Sequence, residues 1–296
     1  MSNLYTHQGK NVRKTWVLMT LFLSLIIALG WLISIIYNDR AILYIAVFLA
    51  VFMNVFSYWF SDKIVLKIHK AKPVNRAEHF DLWNAVENLS ITAGLPMPRL
   101  YIIEEQAPNA FATGRNKEHA VVCVTTGLLN ILDKNELEGV IAHELSHIGN
   151  RDMLLSTVVV VMAGFAALLS DFFLRSQMWG GNRSRNNDSG RIFLILGIIM
   201  AILVPIAATL IRLAISRKRE FLADTSGVLL TRYPEGLANA LQKINSAGIP
   251  MRSANNATAH LFIANPFGSG SISGLNKLFL THPPVEERVK ALMGKT

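Results

Sequence analysis

Only one cysteine, Cys123, stands among 296 residues, so no internal disulfide can brace the chain. Charge is missing from four long stretches. Thr15–Asn38, Ala41–Ser61, Met153–Ser170 and Ile192–Ile211 contain no Asp, Glu, Lys or Arg, and no His. Each reaches the roughly 18–20 residues that cross a hydrocarbon core of about 30 Å. Acidic residues are also few, 20 against 29 Lys and Arg, for a net charge of +9. With 51% hydrophobic residues and a mean hydropathy of +0.35, these gaps exclude a water-soluble protein, a disordered chain and a disulfide scaffold. The residues outside the four runs suffice for one aqueous domain.

The first run is too long for a signal-peptide core, lacks a small-x-small cleavage pattern, and is followed at once by the second. Only Asp39 and Arg40 separate the two, which predicts a tight helical hairpin. The third run is the shortest and Asp171 ends it; its alternative is a buried helix of a soluble domain. Pro205 in the fourth is tolerable within a bundle. Near the span ends, Lys10, Arg13, Lys14, Lys63, Lys67, Lys70, Lys72, Arg76, Lys134, Arg151, Arg212, Arg217, Lys218 and Arg219 fall on one side. Arg40, Arg175, Arg183, Arg185 and Arg191 fall on the other. Both termini and both large polar segments are therefore expected in the cytoplasm. The basic excess is juxtamembrane, where it favours anionic lipid. No basic stripe with interleaved aromatics speaks for nucleic acid. The expected organisation is residues 1–61, an N-terminus and hairpin; 62–152, a first catalytic half; 153–211, a second hairpin (spans 153–174 and 192–211); and 212–296, a second catalytic half.

In the first polar part, Phe80, Leu82, Trp83, Val86 and Leu89 give Glu78–Ala93 helical spacing, which Leu95, Pro96 and Pro98 stop. Leu100–Ile103 and Ala120–Val124 read as strands, and Asn109–Gly114 lies between them, for a small antiparallel sheet. Cys123 reads as a buried apolar residue of its strand. Residues 245–274 are rich in Asn, Ser, Gly and Ala, which suits either a flap over a cleft or a long surface loop.

The chemistry lies in Asp133–Gly149. Asp133 and Glu136 have capping-box spacing, Gly149 suits the residue after the helix, and Leu137, Val140, Ile141, Leu145 and Ile148 form an apolar stripe. On that helix His143 and His147 stack one turn apart, able to hold one divalent ion, with Glu144 beside them. This is His-Glu-x-x-His, the pattern of metal-assisted hydrolysis with Glu as general base. A catalytic site needs one more protein ligand and an open position. Glu220 and Asp224, directly beyond the fourth run, share a helical face. One carboxylate can bind metal while the other accepts the N–H of a ligating histidine. Two solvated faces of an ordinary helix are the plainer reading of each motif taken alone. His7, His69, His79, His119 and His260 show no partner spacing and receive no role.

Taken together, the leading span pair, Asn109–Gly114, the motif of 143–147, two further spans, Glu220-x-x-x-Asp224 and Thr281-His282-Pro283 resemble the HtpX-like membrane zinc metalloproteases, relatives of the CAAX prenyl endopeptidases. The resemblance implies an α+β, zincin-like domain of gluzincin type with four transmembrane helices. It implies one zinc bound by His143, His147 and Glu220, Glu144 as general base, and Asp224 behind a ligating histidine. Asn109, Ala110, Phe111 and Ala112 would form the edge strand that receives a peptide, and His282 with Arg288 would steady the oxyanion. A plain charged-face position on a terminal helix over Val285–Met293 is the other reading of Arg288, and a surface turn that of His282. The same resemblance implies a multi-pass enzyme of the bacterial inner membrane that removes misfolded membrane proteins and cytosolic segments. Two alternatives come from other classes. A prenyl-protein endopeptidase would share the site, but such enzymes commonly carry more spans. A zinc transporter or sensor would place ionisable residues within its spans, which this sequence lacks.

Overall fold

Two charge-free runs with a two-residue gap fold back on each other. In the computed structural model, which describes residues 4–179, 216–255, 257–268 and 283–294, they form α1 (Leu4–Tyr37) and α2 (Arg40–Ile68). Asn38 turns the chain with φ 51°, and Asp39 caps α2 by accepting from the Ala41 amide at 2.9 Å. These are, among the described residues, the two helices long and apolar enough to cross a membrane. Trp31, Tyr44, Phe48 and Phe52 on their outer faces are exposed, as a lipid-facing surface requires. Near the basic end, Trp16 stacks on Tyr58 and the Arg115 guanidinium lies 4.6 Å from the Trp59 ring. Aromatic and basic side chains of this kind anchor at the headgroup level.

The third run lies in α6 (Asp152–Trp179), which continues past Asp171 without interruption. Leu154, Leu155, Val158 and Met162 pack against Leu18, Met19 and Phe22 of α1. The helix before it meets α6 at 83°, so the pair counts as a third span only if taken as one broken element. The fourth expected run, 192–211, lies outside the described residues.

Beyond its apolar run α2 continues into the aqueous lobe. Val65 and Leu66 are buried with Ile103, Phe111 and Phe262, and Asp62 accepts from Arg99 at 2.6 Å. The sheet follows: β1 (Lys72–Pro73), β2 (Arg99–Ile103), β3 (Ala110–Thr113) and β4 (Val121–Thr125), in the order β1-β2-β4-β3. It is mixed rather than antiparallel as expected. The β3–β4 hairpin folds β4 into the space between β2 and β3, so β4 runs parallel to β2 and antiparallel to β3. Gly114 makes that hairpin possible. It holds φ 139°, and a Cβ there would meet the His119 carbonyl oxygen at 2.4 Å. Cys123 is fully buried in β4, and burial pushes its thiol pKa up.

On the sheet pack α4 (Thr126–Ile131) and α5 (Lys134–Gly149); α3 (Phe80–Ala93), α7 (Arg217–Thr231) and α8 (Pro234–Ala247) pack on α5, and α9 (Val285–Leu292) packs on α7 and α8. One core runs through Leu82, Val86, Val140, Ile141, Leu145, Leu241 and Ile263, drawn from both polar parts of the sequence. Phe80 falls outside it, 58% exposed, at the start of α3. The capping box at α5 forms: Asp133 accepts from the Glu136 amide at 3.0 Å, and Glu136 accepts from the Asp133 amide at 2.9 Å. The same Glu136 carboxylate accepts from Lys243 of α8 at 2.7 Å, so the cap also ties two helices together. The far end differs from expectation. Gly149 is still helical, and Arg151 takes the left-handed turn with φ 57°.

Candidate metal centre

An apolar stripe buries one side of α5 and leaves its histidines at the edge of the core. Helical spacing then stacks His143 over His147, their Nε2 atoms 3.2 Å apart. α7 supplies the third donor. Its Gly227 lies where a Cβ would come within 3.0 Å of the His143 backbone nitrogen, so the two helices touch closely and Glu220 is brought across. Glu220 Oε2 lies 3.8 Å from His143 Nε2, and Oε1 lies 3.7 Å from His147 Nε2. Donors about 2.0–2.1 Å from one ion at tetrahedral angles stand roughly 3.3 Å from each other. The observed separations fit such an ion, and two imidazoles with one carboxylate suit zinc among divalent metals.

Each imidazole can present Nε2 because a carboxylate holds its Nδ1–H. Asp224 Oδ1 lies 2.9 Å from His143 Nδ1, and Asp152 Oδ2 lies 3.2 Å from His147 Nδ1. Arg288 closes the first of these pairs from behind. Its Nε and Nη2 donate to the two Asp224 oxygens at 2.9 and 2.6 Å, and Nη1 donates to the Ile263 carbonyl at 3.3 Å. Burial alone would raise the Asp224 carboxyl, but Arg288 and His143 hold it at about 2. For His143, burial is the largest influence and lowers it to about 4 against the pull of Asp224, which leaves a neutral ring ready to ligate. Burial opposes charge on His147 too, but Asp152, Glu220 and Glu144 outweigh it and bring it to about 9.

Glu144 is buried in the same cavity, where its carboxylate takes a hydrogen bond from the Ala112 backbone. Burial raises its pKa to about 7; His147 and Arg288 pull downward while Glu220 adds to the rise. A carboxyl poised there exchanges protons readily near neutral pH. The cavity encloses about 30 Å³, room for a water or an ion but not for a peptide.

The structure brings His143, His147, Glu220, Asp224 and Glu144 into one cluster. Arg288 is near it. It is fully buried, so it is no charged-face residue, and its described contacts are Asp224, the Ile263 carbonyl and His143. The reason is charge: a guanidinium out of water needs a carboxylate, and Asp224 is in reach. His282 lies outside the described residues. Of Asn109, Ala110, Phe111 and Ala112, Ala112 lines the cavity, and all four are buried. The outer edge of β3 is already engaged: the Ile263 amide donates to the Ala110 carbonyl at 2.9 Å, and Phe262 bridges Phe111. This part of 245–274 is thus neither surface loop nor free flap, since Phe262 and Ile263 are core residues. Sequence spacing missed two residues. His260 lines the cavity, with Nε2 3.1 Å from the Ser156 carbonyl. Asp152 supports His147, and its only sequence signal is an acidic residue five places beyond that ligand.

The model of peptidase family M48 matches residues 77–296. A protease HtpX homolog of Thermoanaerobacter pseudethanolicus is 49% identical over 99% of this chain and 98% of its own length. Those of Pyrococcus furiosus and Tropheryma whipplei are 48% and 42% identical, over 94% and 98% of this chain and 94% and 97% of theirs. Among solved structures, Ste24p of S. mikatae is similar in fold, with a TM-score of 0.51 at 19% identity, over 94% of this chain and 66% of that one.

Proposed function

The chain belongs to peptidase family M48 and is a membrane-bound metalloprotease; we propose that it is a zinc endopeptidase working at the cytoplasmic face of a cell membrane. One observation carries this reading: His143, His147 and Glu220 offer three donors within 4.8 Å of one another, with the buried Glu144 in the same cavity. Bound by these three side chains, one zinc per chain supplies Lewis acidity toward water and the scissile carbonyl. Glu144 takes the proton of the attacking water and returns it to the leaving amine, a task its pKa of about 7 suits. His143 and His147 stay in the required tautomer because Asp224 and Asp152 accept their Nδ1 protons. Arg288 acts on His143 through Asp224, and His282 is the donor proposed for the oxyanion.

A peptide substrate lies along β3 over Asn109–Ala112, with backbone hydrogen bonds that demand little of its sequence. To do so it takes the position that Ile263 holds at Ala110. The centre lies at the membrane surface, because Asn11, four residues before the first charge-free run, touches Asp152. Substrates are accordingly misfolded membrane proteins and segments emerging from the bilayer. The excess of Lys and Arg at one set of span ends supports a four-span, inner-membrane arrangement with both termini in the cytoplasm. The test is Glu144→Gln: zinc stays bound and turnover of an unfolded substrate is lost. Turnover retained with zinc in place would refute the assignment of the base.

A further inference from the structure

Asn11 is a polar side chain of α1, 5% exposed, at the aqueous end of the first membrane helix. Its Nδ2 donates to Asp152 Oδ1 at 2.5 Å and to the Asn150 carbonyl at 3.2 Å, across about 140 residues of chain. Both acceptors belong to the bend between α5 and α6. The second oxygen of Asp152 holds the Nδ1–H of His147 at 3.2 Å. A third element reaches the same carboxylate: Arg219 Nε lies 3.8 Å from Oδ1, and the next residue along α7 is Glu220. One buried carboxylate therefore joins the membrane hairpin, the histidine helix and the helix that carries the third donor.

We propose that Asn11 is a positioning residue of the metal centre, acting through Asp152 to fix the His147 ring, so that metal retention depends on how the first membrane helix seats against the catalytic lobe. The proposal rests on the reading that His143, His147 and Glu220 hold the metal. An amide suits the place for two reasons. It donates to a carboxylate without adding charge, and it spans the carbonyl of Asn150 and the carboxylate of Asp152 at once. Without it, a buried oxygen of Asp152 loses a hydrogen-bond donor. The carboxylate then turns toward Arg219, and the His147 ring is no longer held in the ligating direction. Losing a hydrogen-bond partner behind a ligand typically weakens metal affinity about 10- to 100-fold.

The experiment measures zinc affinity of the full-length protein in nanodiscs by competition with a chromophoric chelator. It compares wild type with Asn11→Leu, Asp152→Asn, the double variant and Asn11→Gln. Expected are a loss of roughly tenfold for Asn11→Leu, a loss at least as large for Asp152→Asn, and partial recovery for Asn11→Gln, which keeps the amide. The double variant should bind no more weakly than Asp152→Asn, because both changes break one path. With Co²⁺ as a spectroscopic substitute, the visible bands should move in Asn11→Leu. Wild-type affinity and an unchanged cobalt spectrum in Asn11→Leu overturn the proposal, as do losses that simply add in the double variant. If the metal-free Asn11→Leu protein does not fold, Asn11→Ser takes its place in the same cycle. His143→Ala serves as the separate control: zinc affinity equal to wild type there would sink the metal site itself.

Discussion

The Arg288 guanidinium grips both oxygens of Asp224 at 2.6 and 2.9 Å in a place closed to solvent on both sides. Arg288 is the largest fully buried side chain among the described residues. Breaking a buried pair from one side leaves an uncompensated charge, which typically costs about 3–5 kcal/mol. Arg288→Met should destabilise the protein by that order in chemical denaturation and also weaken zinc binding. Arg288→Lys keeps the charge but not the two-pronged grip and should fall between. A wild-type melting temperature in Arg288→Met would show that the pair is not coupled to the fold.

Asp224 and Glu144 should give opposite dependences of stability on pH. The Asp224 carboxyl is held at about 2 in the folded state, below its ordinary 3.8. Its contribution is full above pH 4 and is lost as pH falls through 2. Glu144 is raised from 4.5 to about 7, so the folded state resists its ionisation. The penalty is absent below pH 4.5 and complete above pH 7. Metal-free Glu144→Gln should thus be more stable than wild type at pH 8, by on the order of 3 kcal/mol, with the gain gone near pH 4.5. Melting curves across that range decide the matter, and a pH-independent difference would count against the shift.

Metal uptake should release protons. His147 is brought to about 9 in the metal-free site, whereas His143, at about 4, is already neutral. Near pH 8 binding must therefore expel close to one proton from His147, and affinity should weaken about tenfold per pH unit below 9. Calorimetric titration in buffers of different ionisation enthalpy counts the protons. No buffer dependence would place the pKa of His147 well below the working pH.

Peptide binding should disturb a particular amide. The Ile263 N–H is tied to the Ala110 carbonyl in the closed arrangement. A non-cleavable peptide that pairs with β3 should release it and speed hydrogen exchange at residues 262–264, even as the metal cavity gains protection. Slower exchange across the whole segment would mean that the peptide lies elsewhere.

What could be read from the sequence was whatever helical repetition carries. His143 and His147, and again Glu220 and Asp224, are each four apart, so one face of one helix declares them. The charge-free runs declared α1 and α2 in the same way. Asp152 escaped because it follows a bend at Arg151, where spacing no longer predicts direction. Asn11 is some 140 residues from its partner, within a segment that read only as a membrane anchor. The parallel pairing of β2 with β4 depends on β4 entering between two earlier strands, a topological fact that no strand announces alone. The pairing of Arg288 with Asp224 was hidden, because the two residues lie on different helices and no spacing links them.

Since α2 passes unbroken from lipid to Ile68, with its last turns locked to the sheet by Val65, Leu66 and the Asp62–Arg99 pair, the anchor is a lever and not a tether. A bilayer that thins or thickens is matched by a change in helix tilt. A tilt of α2 would here be carried into the sheet, because no flexible joint separates the two.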